Sequence, residues 1–198
     1  MTNARLGPNG WELGAPDYAT DGSGPAARIR VDPGQTGFFA GRMFRSYVET
    51  VVAQGGATPF YARFTSPVDF ILWNQKLTLT QGAVRMLVLT GVSFAGSWTT
   101  QPLFGVNRMS ERPMYDGAFY VPKATFETGG TFTGGSETDR MLVRAASSNV
   151  NATNAGESQS ERGLPAGTYG LKFSILDGGL NVNDAAQMLY ELEWEERA

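Results

Sequence analysis

The chain predicts an all-β fold: an antiparallel β-sandwich, jelly-roll-like, with an extended N-terminal arm. Three observations carry this. Twenty-five glycines and ten prolines among 198 residues punctuate the sequence too often for long helices. In several stretches apolar residues recur at every second position, the period of a strand with one face on a core. Hydrophobic residues make up 41% and charged residues 18%, which supplies a core and too little charge to hold the chain open.

Residues 1–36 differ from the rest of the chain. "GPNGWELGAPDYATDGSGPAARIRVDPGQT" is dense in Gly, Pro, Asp and Ala and has no sustained apolar period. It carries spaced anchors, Trp11, Leu13, Tyr18 and Ile29, which suit an extended arm that lies across a neighbouring subunit and seats large side chains in its pockets. Residues 37–198 form the sandwich domain. "RMFRSYVETVVA" (42–53) and the aromatic "FYARF" (60–64) are strands separated by the breaker "QGGATP". "DFILWNQKLTLT" (69–80) runs through "QG" into "AVRMLVLTG" (83–91), which reads as a hairpin. Both faces of its second arm are apolar, so that strand is central and covered on both sides.

Residues 92–137 are looser, with aromatics scattered among turns, and "GGTFTGG" (129–135) reads as a hairpin tip. It fails as a phosphate loop because no Gly-Lys-Ser/Thr follows. The polar run 147–163 reads as an exposed loop or excursion. "TYGLKFSIL" (168–176) alternates cleanly as a half-buried strand. In the last strand Met188, Tyr190, Leu192 and Trp194 share one face, and Leu189, Glu191, Glu193 and Glu195 the other.

Four carboxylates within six positions (Glu191, Glu193, Glu195, Glu196) raise the question of a glycosidase pair. Alternate side chains on a strand stand about 6.6 Å apart, near the spacing of an inverting pair. Such a pair needs unlike environments to split its pKa values, and a ladder of equal neighbours provides none. The ladder reads as a solvated or inter-subunit face. The absence of cysteine and histidine removes thiolate and imidazole chemistry, disulfides and the commonest metal ligands. No catalytic residue, cofactor site or metal site is assigned. "DGGLNVND" (177–184) offers oxygen ligands without the EF-hand spacing, so an Asx-rich turn and a calcium loop both stay open. Trp73, Trp98, Tyr115 and Tyr120 leave a glycan platform open against a core role.

The net charge of −3 offers no basic field for nucleic acid, and the longest apolar runs are far too short to span a bilayer. The start of the chain shows no secretion signal, which implies synthesis in the cytoplasm. Thirteen of the sixteen cations are arginines, which suit interfaces through their flat, weakly hydrated fork, or else reflect codon bias. Arg42, Arg45, Arg63 and Arg85 are the interface candidates.

Six blocks in sequence order carry a resemblance: "GFFAGRMFRSY" (37–47), "SPVDFILWNQKLTLTQGAVRMLVLTG" (66–91), "VNRMSERP" (106–113), "TGGTFTGGSETDRMLVR" (128–144), "SERGLPAGTYGLKF" (160–173) and "YELEWEER" (190–197). Together they resemble small β-rich virion structural proteins of tailed bacteriophages, particularly short-tailed ones. The resemblance implies a non-enzymatic, homo-oligomeric particle component and carries over no functional residue. The expectation is a capsid decoration or cement protein in the virion, bound to the major capsid protein or another virion protein. The alternative is a tail-fibre or other tail-appendage module that recognises host surface glycan.

Overall fold

The computed structural model describes residues 4–7, 10–13, 29–30, 36–52, 59–108, 119–145, 154–158, 162–176 and 185–197. The described chain is all-β apart from one helical turn, and every strand pairing in it is antiparallel. Three strands lie in the stretch read as an arm: β1 (Ala4–Gly7), β2 (Gly10–Leu13) and β3 (Ile29–Arg30). They form a small sheet in the order β1-β2-β3. A helical turn, α1 (Thr36–Phe39), then leads into the domain.

The domain has two sheets. In the first, β4 (Met43–Val52), β6 (Phe70–Gln81) and β13 (Ala186–Glu196) lie side by side with β13 in the centre. The short strands β8 (Phe104–Gly105), β10 (Asn154–Ser158) and β11 (Arg162–Leu164) extend its edges, β8 on β4 and the other two on β6. The run at 147–163, expected as an exposed loop or excursion, therefore supplies β10 and the start of β11. In the second sheet β5 (Phe60–Ser66), β7 (Ala83–Thr100), β9 (Thr125–Arg144) and β12 (Gly167–Ile175) close on themselves in the order β12-β5-β9-β7.

Alternation decides which side chains meet between the sheets. On β13 Met188, Tyr190, Leu192 and Trp194 are buried, on β4 Phe44, Val48 and Val52, and on β12 Tyr169, Leu171 and Phe173. The Tyr190 ring meets Phe173 edge-on at 5.1 Å and the Trp194 indole meets Phe64 edge-on at 5.0 Å, so one aromatic core joins both sheets. Burial pushes the pKa of the enclosed Tyr190 phenol up.

The β6–β7 hairpin expected from the sequence does not form. β6 pairs with β13, β10 and β11, while β7 pairs with β9 and β12. At Gly82, with φ of 84°, the chain crosses from one sheet to the other. A Cβ at this glycine would stand 2.9 Å from the Cβ of Ala186. The two strands face each other across the core, where Gln75 Nε2 donates to Met86 Sδ at 3.3 Å.

The second sheet closes because its longest ribbon folds over. β7 and β9 pair from Ala83↔Arg144 to Thr100↔Glu127, with irregularities after Val88 and between Ala95 and Trp98. "GGTFTGG" is therefore no hairpin tip but lies within β9, and residues 92–100 and 125–137 of the segment expected to be loose belong to this ribbon. Bulges bend a strand and increase its twist. One end of the ribbon pairs with β12 through β7, and the other pairs with β5 through β9. The fold encloses a second cluster in which Phe132 meets Tyr61 at 4.9 Å and Phe94 at 5.7 Å. Gly130, with φ of 50°, admits the Trp98 indole where a Cβ would collide with it.

Candidate functional site

The four C-terminal carboxylates divide three ways. Glu191 and Glu193 lie on the outward face of the first sheet. Glu191 stands between Tyr47 on β4 and Lys76 on β6, and Glu193 between Arg45 and Asn74. Burial pushes the Glu193 carboxyl up, against the pull of the Arg45 guanidinium. The reading of Glu191, Glu193 and Glu195 as one solvated or inter-subunit face fails at Glu195, which is only 1% exposed, and Glu196, at 0%, is enclosed on the other side. The register between β13 and β6 shifts after Glu193, and Trp73 becomes the extra residue opposite. α1 then covers the outward face: Gly37 lies against the Glu195 carboxylate with no space for a side chain of its own. Trp73 Nε1 donates to Glu195 Oε2 at 3.2 Å, and Arg197 and Arg42 approach Oε1 at 3.4 and 3.9 Å.

Glu196 points the opposite way and ties down residues 119–124. Its Oε1 accepts from the Ala124 amide at 2.9 Å, and its Oε2 from the Lys123 amide at 3.0 Å and the Tyr120 hydroxyl at 2.8 Å. Trp194 Nε1 adds a longer contact at 3.4 Å. Neighbours on a strand face opposite sides, so Glu195 and Glu196 share no space into which a substrate bond could enter. The cluster fastens the end of β13 to α1 on one side and to the entry of β9 on the other.

The four arginine candidates separate in the same manner. Arg42 is taken up by the Glu195 clasp. Arg63 binds Glu127 through two hydrogen bonds, of 2.6 and 3.0 Å, and lies over the Trp98 ring at 4.7 Å, so it staples the folded ribbon. Arg45 and Arg85 are exposed. Of the arm anchors, Trp11 and Leu13 stand on β2 and Ile29 on β3, with Leu13 and Ile29 in register, and Tyr18 lies outside the described residues. Of the glycan candidates, Trp98 is held by Arg63 and Gly130, Trp73 by Glu195 and Tyr120 by Glu196, while Tyr115 lies outside the described residues. The 177–184 loop also lies outside them. Among the described residues no three acidic side chains converge as a metal site.

Arg85 belongs to a surface that local sequence patterns do not assemble. Val84 and Met86 on β7 point into the core, so Arg85 and Leu87 point away from it. Leu142 stands opposite Arg85 and is 59% exposed, with Arg140 and Arg144 on either side of it along β9. Across the other edge of β7, Lys172 stands opposite Leu87. Arg140 forms two 2.8 Å hydrogen bonds to Glu137 and holds that carboxyl below its usual range. The result is an exposed leucine flanked by Arg85, Arg140 and Arg144, with the Glu137 carboxylate bound to Arg140, on a chain whose net charge is negative. The period-two signal Arg140-Leu142-Arg144 is present in "DRMLVR", but Arg85 and Lys172 join it only through pairing with distant strands.

The outward face of β4 has a different character. Tyr47 is 48% and Val51 58% exposed, with the exposed Glu49 between them. Tyr47 stacks on Phe104 at 5.5 Å, and the cross-strand neighbour of Glu49 on β13 is Leu189. Apolar side chains framed by charge and large enough to be desolvated are what non-covalent docking surfaces are made of. Comparison of the chain with protein-family models, with curated proteins and with solved structures finds no match.

Proposed function

We propose that this chain is a non-enzymatic structural subunit of a bacteriophage particle, a decoration or cement protein that acts by binding other virion proteins. The observation that carries the reading is the basic-apolar surface around Leu142. An exposed leucine flanked by Arg85, Arg140 and Arg144 suits a partner that offers carboxylates and apolar side chains. The resemblance of the six sequence blocks to phage virion proteins supports the same reading. In it the two sheets are a jelly-roll-like sandwich, and residues 1–36 reach from the domain to a neighbour such as the major capsid protein.

Mass spectrometry and cryo-electron microscopy of the intact particle test this directly. The expected result is ordered density for the chain on the capsid lattice. Deletion of residues 1–36 leaves a folded domain that no longer joins particles. A particle that lacks the chain, or full occupancy by the truncated form, refutes the respective part of the proposal.

A further inference from the structure

Among the described residues two aromatic side chains stand exposed, Tyr47 and Phe119. Tyr47 is set in place by a second ring. It projects from the outward face of β4, 48% exposed, and lies nearly parallel to Phe104 on β8, with 7° between the planes and 5.5 Å between the centroids. Parallel rings at that separation are offset, so part of the Tyr47 face stays open beside Phe104 as a flat step.

This step has a polar rim. Glu191 on β13 is the cross-strand neighbour of Tyr47, a relation that brings Cβ atoms to about 4.5–5.5 Å. Arg45 and Glu49, both exposed, flank Tyr47 along β4 at about 6.6 Å on either side. Lys76 stands on the far side of Glu191. Neither Glu49 nor Glu191 forms an ion pair with a described residue. An aromatic face is thus bordered by two carboxylates, which only accept hydrogen bonds, and a guanidinium, which only donates.

We infer that Tyr47 and its rim form a binding site for one neutral pyranose unit of a glycan. The C–H face of such a sugar is apolar and slightly positive, which suits the negative face of an aromatic ring. Its edge carries neighbouring hydroxyls that both donate and accept. They donate to Glu49 and Glu191 in charge-assisted bonds and accept from Arg45. Two acids beside the ring leave no surplus of positive charge to hold a sulfated or carboxylated sugar. A protein partner suits this face less well. A stable protein contact covers about 800 Å² on each side around a desolvated apolar centre. Here the exposed apolar side chains are Tyr47 and Val51, and Glu49 separates them. Because the Tyr47 ring already rests on Phe104, it loses little freedom when a sugar stacks on it. The site goes beyond the role of particle subunit and does not depend on it. It replaces Trp73, Trp98 and Tyr120 as the glycan platform, since Glu195, Arg63 and Glu196 hold those side chains within the fold.

Saturation-transfer NMR of the full chain with methyl glycosides of neutral hexoses and N-acetylhexosamines tests the inference, and a glycan array gives the preferred unit. The wild-type chain is expected to transfer saturation to at least one of these glycosides. Tyr47→Ala is expected to weaken binding at least about tenfold, the scale of losing one stacked ring, while Tyr47→Phe keeps most of it. Glu191→Gln weakens it as well, because an amide offers a poorer acceptor for the hydroxyls. Leu142→Ser, on the other side of the core, leaves binding unchanged. An unaltered Tm shows that each variant is folded. No transfer to any of the glycosides together with a blank array overturns the inference. So does a folded Tyr47→Ala chain that binds as wild type does, a loss caused by Leu142→Ser, or binding confined to sulfated or carboxylated glycans.

Discussion

Glu196→Ala is the substitution whose consequence is drawn most directly from the geometry. The carboxylate is fully enclosed and accepts from two consecutive backbone amides, Lys123 and Ala124, and from the Tyr120 hydroxyl. Alanine removes every acceptor at once. Tyr120 and the exposed Lys123 lie where water can reach them, so the cost at those donors is small. The Ala124 amide and the Trp194 indole are buried, and each orphaned buried donor costs roughly 1–3 kcal/mol. The sum is about 3 kcal/mol, the lower part of the range for breaking a buried charged network. For a domain of this size that lowers Tm by roughly 6–12 °C.

Urea unfolding followed by tryptophan fluorescence measures this, with Glu191→Gln as the control. Glu191 lies on the outward face beside Lys76, so its substitution is expected to stay within about 0.5 kcal/mol of wild type. Glu196→Gln separates shape from acceptor capacity, because its amide NH2 turns a donor toward donors and recovers only part of the loss. If Glu196→Ala unfolds within about 0.5 kcal/mol of wild type, the fastening role of this residue is refuted.

Three further outcomes are expected. Gly130→Ala puts a Cβ into the Trp98 indole at a positive φ and is expected to cost about 2–3 kcal/mol in denaturant unfolding, with altered Trp98 emission. Arg63→Ala removes two hydrogen bonds to Glu127 and the cation over Trp98, both partly buried, and is expected to cost about 1–2 kcal/mol in the same assay. Glu193→Gln is expected to stabilise the domain at pH 7 and to have little effect in acid. The folded carboxyl titrates above its ordinary value, so its favourable contribution is present below that ordinary value and is lost as pH rises through the raised one. Equal Tm changes for this variant across the pH range would argue against burial as the dominant cause.

Much of the strand pattern is legible in the sequence because it rests on local alternation. The stretches 42–53, 60–64, 69–80 and 168–176 each correspond to a strand within a few residues, since inward Val48, Phe64, Leu77 and Phe173 recur at period two among polar or exposed neighbours. Pairing is less legible. "QG" between two apolar runs signals a two-residue hairpin, yet one glycine in the left-handed region serves equally well to pass a chain between sheets. The partners that decide the matter, β13 for β6 and β12 for β7, lie far downstream, where no local rule reaches. The ribbon β7–β9 looks loose in sequence for a related reason: glycines at its bends interrupt the alternation, and its outer residues are exposed.

The C-terminal carboxylates show where period-two reasoning stops. Alternation assigns Glu195 to the outward face, and it does point outward. Whether an outward face is wet depends on what crosses it, and here α1, from the far end of the chain, does so with a glycine at the contact. Glu196 illustrates the complementary point, because an acid directed inward is tolerated only where donors await it, and those donors come from the irregular segment before β9. The same crossing of the chain at Gly82 that hides the strand pairing also sends β6 and β7 to different sheets. It thereby turns Lys76 and Glu191 to one side of the core and Arg85 and Leu142 to the other, so the separation of the two charged faces is a consequence of topology and not of charge order along the sequence. A permuted or inserted loop at residue 82 that keeps both sheets intact should therefore leave both faces, and any association through them, unchanged.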